Sequence, residues 1–425
     1  MSYPDSVRYL YSLGNELKPG AKFGLERMCA LLSELGNPER GQRFMHVAGT
    51  NGKGSTCAMI ASALGNAGFR TGLYTSPHLV DPTERIRING SSVTPAEFVE
   101  AFDVVQAAAA SLLRENRLDA HPSYFEMVTA MALVIFRERC DIGVLEVGLG
   151  GRLDATNVVS PALCVITPVA FDHESYLGNT LEAIASEKAG ILKRGVPVVL
   201  ARQLPQADAI IRQQAHRLNC AIIPTDESPV TDLIVTAHSS TFSLYGNSYE
   251  CPLPGRHQVE NAAAAILACR ELGAAVSAIQ AGLKQVRWPG RLEFISRSPD
   301  FVLDGAHNPA GAAALAAYIR EFRGNRPIWM VYGAMRDKAI DEVASQLFPL
   351  ADRLILTAPN FPRALRPQAI LEVASHSNAV IADTIPAAME IARSAPQNAM
   401  VFFTGSLFVV GEVRGLLVRG GGFVS

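Results

Sequence analysis

Apolar residues along this chain come in short β-branched runs that alternate with longer stretches of helical period. The runs Arg43–Gly49, Thr71–Thr75, Ile142–Val147, Leu163–Val169 and Pro197–Ala201 predict strands. Helical spacing between them predicts helices from about Gly54, over Ala96–Leu113, Tyr124–Arg139 and Leu181–Leu192. The runs at 142–147 and 163–169 lack polar alternation, as expected of parallel strands covered on both faces. Between Thr231 and Cys251 short Thr, Ser and Tyr segments surround Gly246-Asn247, which predicts a hairpin excursion, followed by an Ala-rich helix over Gln258–Leu272.

Trp288-Pro289-Gly290-Arg291 interrupts the helical pattern and precedes a strand at Leu292–Ser296. Beyond it the alternation restarts, with strands at Phe301–Asp304, Ile328–Tyr332, Arg353–Ala358 and Met400–Thr404 and helices at Pro309–Phe322 and Ile340–Leu350. The expected organisation is an α/β domain over residues 1–288 and a smaller α/β domain over 291–425, with a cleft between them.

Composition narrows the class. The 425 residues are 48% hydrophobic and 18% charged, enough to bury more than one core and incompatible with disorder as the main state. A net charge of −2 gives no basic surface for nucleic acid or an acidic membrane. Seven cysteines form no Cys-x-x-Cys pair, so free thiols in a reducing cytoplasm are expected. Met1–Leu10 has no apolar core of a signal peptide, and no apolar run approaches the roughly 20 residues of a membrane span.

The sharpest local signal is His46-Val47-Ala48-Gly49-Thr50-Asn51-Gly52-Lys53-Gly54-Ser55-Thr56, between a predicted strand and a predicted helix. Glycines let successive N–H groups face phosphate oxygens, the helix start adds partial positive charge, and Lys53 supplies a full one. The strict pattern G-x-x-x-x-G-K-[ST] fails, because Val47 takes the first glycine position and Gly54 follows the lysine. Glu146 ends an apolar strand ahead of a Gly-rich turn, where an acid can hold Mg²⁺ beside phosphates or merely be solvated. Asp172-His173 ends the next strand. Lys188 shares one helical stripe with Leu181, Ile184, Ala185, Ile191 and Leu192, which leaves a buried, reactive amine and a snorkelling side chain both open. In the second half Asp304-Gly305-Ala306-His307-Asn308-Pro309 again places polar groups at a strand end, more than a helix cap needs.

The strings His46–Thr56, Thr75–Leu79, Glu146–Asn157, Glu187–Ile191, Pro289–Glu293, Asp304–Pro309 and Thr404–Ser406 together resemble the dihydrofolate synthase and folylpolyglutamate synthase family of the Mur ligase superfamily. The resemblance implies an N-terminal phosphate-loop ATPase domain of Mur ligase type and a smaller C-terminal Rossmann-like domain, with the site between them. It also implies the reaction: ATP converts a substrate carboxylate to an acyl phosphate, L-glutamate attacks through its amino group, and phosphate leaves. Aligning two anionic reactants needs Mg²⁺ and cationic side chains.

Carried over by motif, Thr50, Asn51, Gly52, Lys53, Gly54 and Ser55 would cradle the phosphates, with Asn261, Arg291 and Asp304 also contacting ATP. Ser76, Glu146 and Ser55 would serve one Mg²⁺ and His173 a second, while Lys188 would match a carbamylated lysine. Lys53, His173 and Lys188 are thus the expected catalytic residues. A pterin would meet Phe23, Gly24, Leu25, Tyr124, Phe125, Glu126, Leu153, Asp154 and Ala155, although core packing explains Tyr124 and Phe125 almost as well. His307 and Ser406 would face glutamate and the acyl phosphate. The expected partners are ATP, L-glutamate and dihydropteroate or folates, with neither nucleic acid nor membrane, acting on a monomer. A phosphate-loop kinase or switch ATPase would account for Lys53 and Glu146 but not for Asp304–His307. A Mur-type ligase for another carboxylate is the nearer alternative, although the segment ahead of Gly49 looks too short for a nucleotide-sugar-binding domain.

Overall fold

The chain is described here by a computed structural model covering residues 1–14, 24–227 and 229–419. The first sheet contains β1 (Arg43–Ala48), β2 (Thr71–Tyr74), β3 (Ile86–Ile88), β4 (Ser91–Ser92), β5 (Ile142–Glu146), β6 (Leu163–Ile166), β7 (Val198–Leu200) and β8 (Ile222–Pro224). Their order is β4-β3-β2-β5-β1-β6-β7-β8, parallel from β2 to β8, with β3 and β4 added antiparallel at one edge. The sequence pattern predicts five of these strands. It misses β3, β4 and β8, each of three residues or fewer; β7 is as short but stands in a longer apolar run, Pro197–Ala201.

Alternate residues of the parallel strands feed opposite cores. Met45, Val47 and Val144 pack with helices Lys53–Asn66 and Arg256–Glu271, whereas Phe44, Tyr74 and Leu145 pack with helices Pro95–Arg114 and Tyr124–Arg139. Both faces are therefore covered, which accounts for strands that read as unbroken apolar runs. Strands β9 (Thr231–Val235), β10 (Ser240–Leu244) and β11 (Asn247–Cys251) form a separate antiparallel sheet. Its β10–β11 turn is made by Tyr245 and Gly246, with φ of 51° and 72°, one residue earlier than the Gly246-Asn247 pair suggests. Both angles suit the turn type that matches strand twist.

The third sheet contains β12 (Glu293–Ser296), β13 (Asp300–Leu303), β14 (Ile328–Tyr332), β15 (Arg353–Leu356), β16 (Ala379–Ile381) and β17 (Met400–Thr404), in the order β12-β13-β17-β14-β15-β16. It is parallel apart from β12, which pairs antiparallel with β13. Val302, Met330 and Phe402 point to one core, and Leu303, Val331 and Phe403 to the other.

Two predicted helices end early. The Leu181–Leu192 pattern is α-helical only through Ala189; beyond it the ladder tightens to three-residue bonds, from Gly190 N–H to Glu187 O and from Ile191 N–H to Lys188 O, where Gly190 packs closely on Arg152. The segment predicted over Ile340–Leu350 is α-helical to Leu347 and tightens into a 3₁₀ turn at Phe348–Leu350. All seven cysteines are unpaired, and only Cys29 is exposed. Among the described residues no helix is long and apolar enough to cross a membrane.

Candidate active site between the two sheets

In the first sheet β1 lies between β5 and β6, so the chain leaves its carboxyl end where neighbouring connections diverge, the usual crevice of such sheets. A cleft of about 520 Å³ opens there and is closed on its far side by the carboxyl ends of β13, β14 and β17.

The phosphate loop forms its floor. Gly52 has φ 87° and caps the helix beginning at Lys53, where a Cβ would come within 2.2 Å of Asn261 Oδ1. Gly49 is pressed against Thr167, leaving no room for a side chain. Thr50 is pinned by its N–H to Pro168 O at 2.9 Å and by its hydroxyl to Ala170 O at 3.0 Å. The Lys53 amine folds back on the loop, 3.1 Å from both Gly49 O and Thr50 O. Ser55 is buried behind it, and Gly54 also lines the cleft.

Lys188 settles the choice left open by its helical stripe. It is 4% exposed and its amine donates to Gly49 O at 2.8 Å, so it points into the loop rather than to solvent. Burial, with the neighbouring Lys53 charge, lowers its pKa to about 7. Glu146 is buried at the cleft floor and accepts from the Ser76 backbone N–H at 3.0 Å. Burial raises its pKa, while Lys53 and the Ser76 N–H oppose that shift.

From the far side, Arg291, Asp304, His307 and Ser406 all line the same cleft. Asp304 is fixed by the N–H groups of Leu292 and Ala306, each at 3.0 Å, and burial raises its pKa. His307 Nδ1 donates to Gly305 O at 2.7 Å, which turns Nε2 towards Asp172 Oδ2 at 3.4 Å. The Ser406 hydroxyl accepts from Phe408 N–H at the start of helix Leu407–Arg419. Asn261 sits across from the loop, bonded to Gln258.

Asp172 and His173 lie at the meeting of the two sheets. Lys338, from the loop after β14, reaches Asp172 Oδ1 at 2.5 Å and His173 Nε2 at 3.4 Å. Burial works to raise the Asp172 pKa, but hydrogen bonding and charge from His307, with Lys338 and His173, outweigh it and hold the carboxyl well below its usual range. Burial lowers the His173 pKa to about 4, and its buried Nδ1 has no hydrogen-bond partner.

Of the expected pterin contacts, Tyr124 and Phe125 line the cleft. Glu126 does not; it caps its own helix through Ser123 N–H at 2.7 Å and pairs with Arg27 at 3.2 Å. Asp154 and Ala155 are buried behind the Gly-rich turn and Leu153 is exposed. Gly24 and Leu25 immediately precede helix Glu26–Glu34, and Phe23 lies outside the described residues.

Sequence reasoning passed over Lys338, Arg363, Arg85 and His257, all of which line the cleft. Lys338 and Arg363 lie in the loops that follow β14 and β15, six and seven residues past the strand ends, so the strand-end rule that flagged Asp304 does not single them out. Arg85 and His257 carry no such signal either.

A model of the Mur ligase middle domain matches residues 47–269, and one of the Mur ligase glutamate ligase domain matches residues 290–407. With two sheets meeting at a phosphate loop, the chain is a Mur-type ATP-dependent ligase. Within that class it belongs to the dihydrofolate synthase/folylpolyglutamate synthase family. It is 36% identical to the dihydrofolate synthase/folylpolyglutamate synthase of Bacillus subtilis, over 97% of this chain and 98% of that one. The solved Mycobacterium tuberculosis folylpolyglutamate synthase complexed with ADP superposes with a TM-score of 0.91 at 32% identity, covering 98% of this chain and 99% of that one. Escherichia coli FolC in complex with DHPP and ADP gives 0.86 at 31% identity, covering 98% of each chain.

Proposed function

We propose that this protein joins L-glutamate to the carboxylate of dihydropteroate, of folates carrying γ-linked glutamates, or of both, using ATP and releasing ADP and phosphate. The observation that carries the proposal is the convergence on one cleft of the phosphate loop and Glu146 from the first sheet with Arg291, Asp304, His307 and Lys338 from the third. The organisation we infer is a phosphate-loop, pterin-binding domain over 1–288 and a glutamate ligase domain over 291–425. We further infer that it acts as a cytoplasmic monomer.

The chemistry follows from charge. A carboxylate resists nucleophiles, so its oxygen first attacks the γ-phosphorus of ATP; the bond to the β-phosphate oxygen breaks and ADP departs. The glutamate amine then attacks the acyl carbon and loses a proton, and the tetrahedral intermediate expels phosphate. Thr50, Asn51, Gly52, Lys53, Gly54 and Ser55 hold the phosphates, where loop N–H groups and the Lys53 charge act most strongly on the charge developing in transfer. Asn261, Arg291 and Asp304 hold the rest of ATP. Tyr124 and Phe125 offer a flat apolar wall to the acceptor. His307, Ser406, Lys338 and Arg363 face glutamate and the acyl phosphate.

Mg²⁺ fits the donors at the loop. One buried carboxylate, Glu146, beside the Ser76 and Ser55 side chains leaves the remaining positions to water and phosphate, the usual arrangement for this ion. Bound there, Mg²⁺ would neutralise phosphate charge. A second ion at His173 has a thinner donor set, because among the described residues no three His, Cys, Asp or Glu side chains gather around one point. Carbamylation of Lys188 would add the missing anion: its amine is neutral in part near pH 7, and addition to CO₂ gives a carbamate and releases a proton.

The test is phosphate release by the purified protein with ATP and Mg²⁺, with and without glutamate, offered dihydropteroate in one arm and a reduced folate in the other. Glutamate-dependent release with either acceptor is expected. Release that ignores glutamate, or none with either acceptor in folded, ADP-binding protein, overturns the assignment.

A further inference from the structure

Asp172 closes the loop after β6 and receives no task from the chemistry above, yet it is the most heavily partnered carboxylate in the cleft. Its side chain is 9% exposed. Besides the neighbouring His173 N–H, its partners come from the other sheet's domain: Asn308 Nδ2 at 3.0 Å, Lys338 Nζ at 2.5 Å and His307 Nε2 at 3.4 Å. These residues are 135 to 166 positions away in sequence.

Asn308 extends the contact. It is 2% exposed and held rigid as the cap of helix Pro309–Phe322, accepting from Gly311 N–H at 2.8 Å. Its amide also exchanges two hydrogen bonds with Asn51 of the phosphate loop, at 3.2 and 3.0 Å. Asp172, Asn308 and Asn51 thus form one connected polar group across the cleft.

A carboxylate removed from water is costly unless charged or hydrogen-bonding partners replace the lost hydration. For Asp172 those partners arrive only when the two domains approach. Separation would return the carboxylate, the Lys338 ammonium and the His307 imidazole to solvent; approach replaces water with charge-assisted hydrogen bonds. The geometry points to Asp172 as a cross-domain positioning residue: it draws Lys338, His307 and Asn308 onto the phosphate-loop edge and so sets the closed arrangement in which the glutamate-facing groups meet the phosphates. Asn51 ties that closure to the loop that holds ATP. The effect on turnover rests on the ligase function proposed above; the effect on closure does not.

Two readouts on the full chain separate these. Small-angle X-ray scattering of the nucleotide-free protein is expected to match the closed structure, whereas Asp172→Asn, Asn308→Ala and the double variant are each expected to give a larger radius of gyration. Because both residues act in one contact, the double variant should open no further than the more open single variant. In the kinetic arm Asp172→Asn should raise the glutamate KM by about tenfold or more while ADP affinity changes less than about threefold. Circular dichroism and thermal melting establish that each variant is folded; if Asp172→Asn is not, Asn308→Ala carries the closure test. Unchanged scattering in folded variants, or additive opening, overturns the proposal. Absence of glutamate-dependent turnover in the parent protein would overturn the ligase assignment instead, and the scattering result would still decide closure.

Discussion

The Lys188 amine donates to the carbonyl of Gly49 at 2.8 Å, joining a helix of the first domain to the turn of the phosphate loop 139 residues earlier. That carbonyl also receives the half-buried Lys53, so two amines, one of them buried, share one acceptor. Burial removes the Lys188 ammonium from water and the neighbouring Lys53 charge adds repulsion, and the lowered Lys188 pKa is the result.

The sign of the consequence for stability is fixed. With a folded pKa of about 7 against an ordinary value of 10.5, the unfolded chain binds the extra proton between those limits. This group therefore destabilises the fold fully below pH 7, and the penalty is relieved as pH rises towards 10.5. Urea unfolding at pH 7.5 and 9 should show a contribution of about 1.4 kcal/mol per pH unit that disappears in Lys188→Met. Lys188→Ala should lower turnover by orders of magnitude while the protein stays folded; near-normal turnover would remove the lysine from the site.

Glu146→Gln keeps the shape of the cleft floor and removes its charge. The Mg²⁺ concentration for half-maximal turnover should rise by about tenfold or more, because one carboxylate is the main anionic donor at the loop. A Mg²⁺ titration of phosphate release checks this, and an unchanged requirement would count against the assignment.

Gly52→Ala meets two obstacles at once, a φ of 87° and a Cβ 2.2 Å from Asn261 Oδ1. Backbone strain alone costs about 1 kcal/mol, and relieving the contact displaces Asn261 or the loop. ADP affinity measured by calorimetry should fall at least tenfold, with a smaller loss in melting temperature. Unaltered affinity would mean that the loop tolerates the shift.

His46 sits under the first sheet's Gly-rich turn rather than in the cleft. Its Nε2 lies 2.8 Å from Thr156 Oγ1, which donates to Asp154 Oδ1 at 2.5 Å, and Asp154 Oδ2 in turn accepts Leu149 N–H at 2.9 Å. Since the Thr156 hydroxyl donates to the carboxylate, His46 must donate from Nε2, leaving the buried Nδ1 unpartnered, as found. Burial lowers its pKa to about 3, so His46 itself stays neutral between pH 5 and 9, while burial raises the pKa of the Asp154 carboxyl at the other end of the network. Thr156→Val should destabilise by about 1–3 kcal/mol and raise the acceptor KM more than the ATP KM. An equal rise in both constants would make the network purely structural.

The parts legible in the sequence are those encoded within a few residues of one another. Five parallel strands of the first sheet, the glycine turn at 49–54, Glu146 at a strand end and Asp304–His307 before a helix each announce themselves through local period and turn chemistry. Lys188 was visible as an anomaly on an apolar stripe, but its stripe also fitted a snorkelling side chain. The three-residue β3 and two-residue β4 left no periodic trace.

What the sequence alone determined was the alternation of strands and helices and the residue types clustered at strand ends, because hydrophobic period, turn conformation and helix starts depend on near neighbours. Only the tertiary structure decided that Lys188 turns inward to Gly49, that Glu126 serves its own helix, and that Asp172 meets Lys338 and Asn308 across the cleft. Those relations join residues as far as 166 positions apart, and whether a buried charge is tolerated depends on partners that no local pattern can supply.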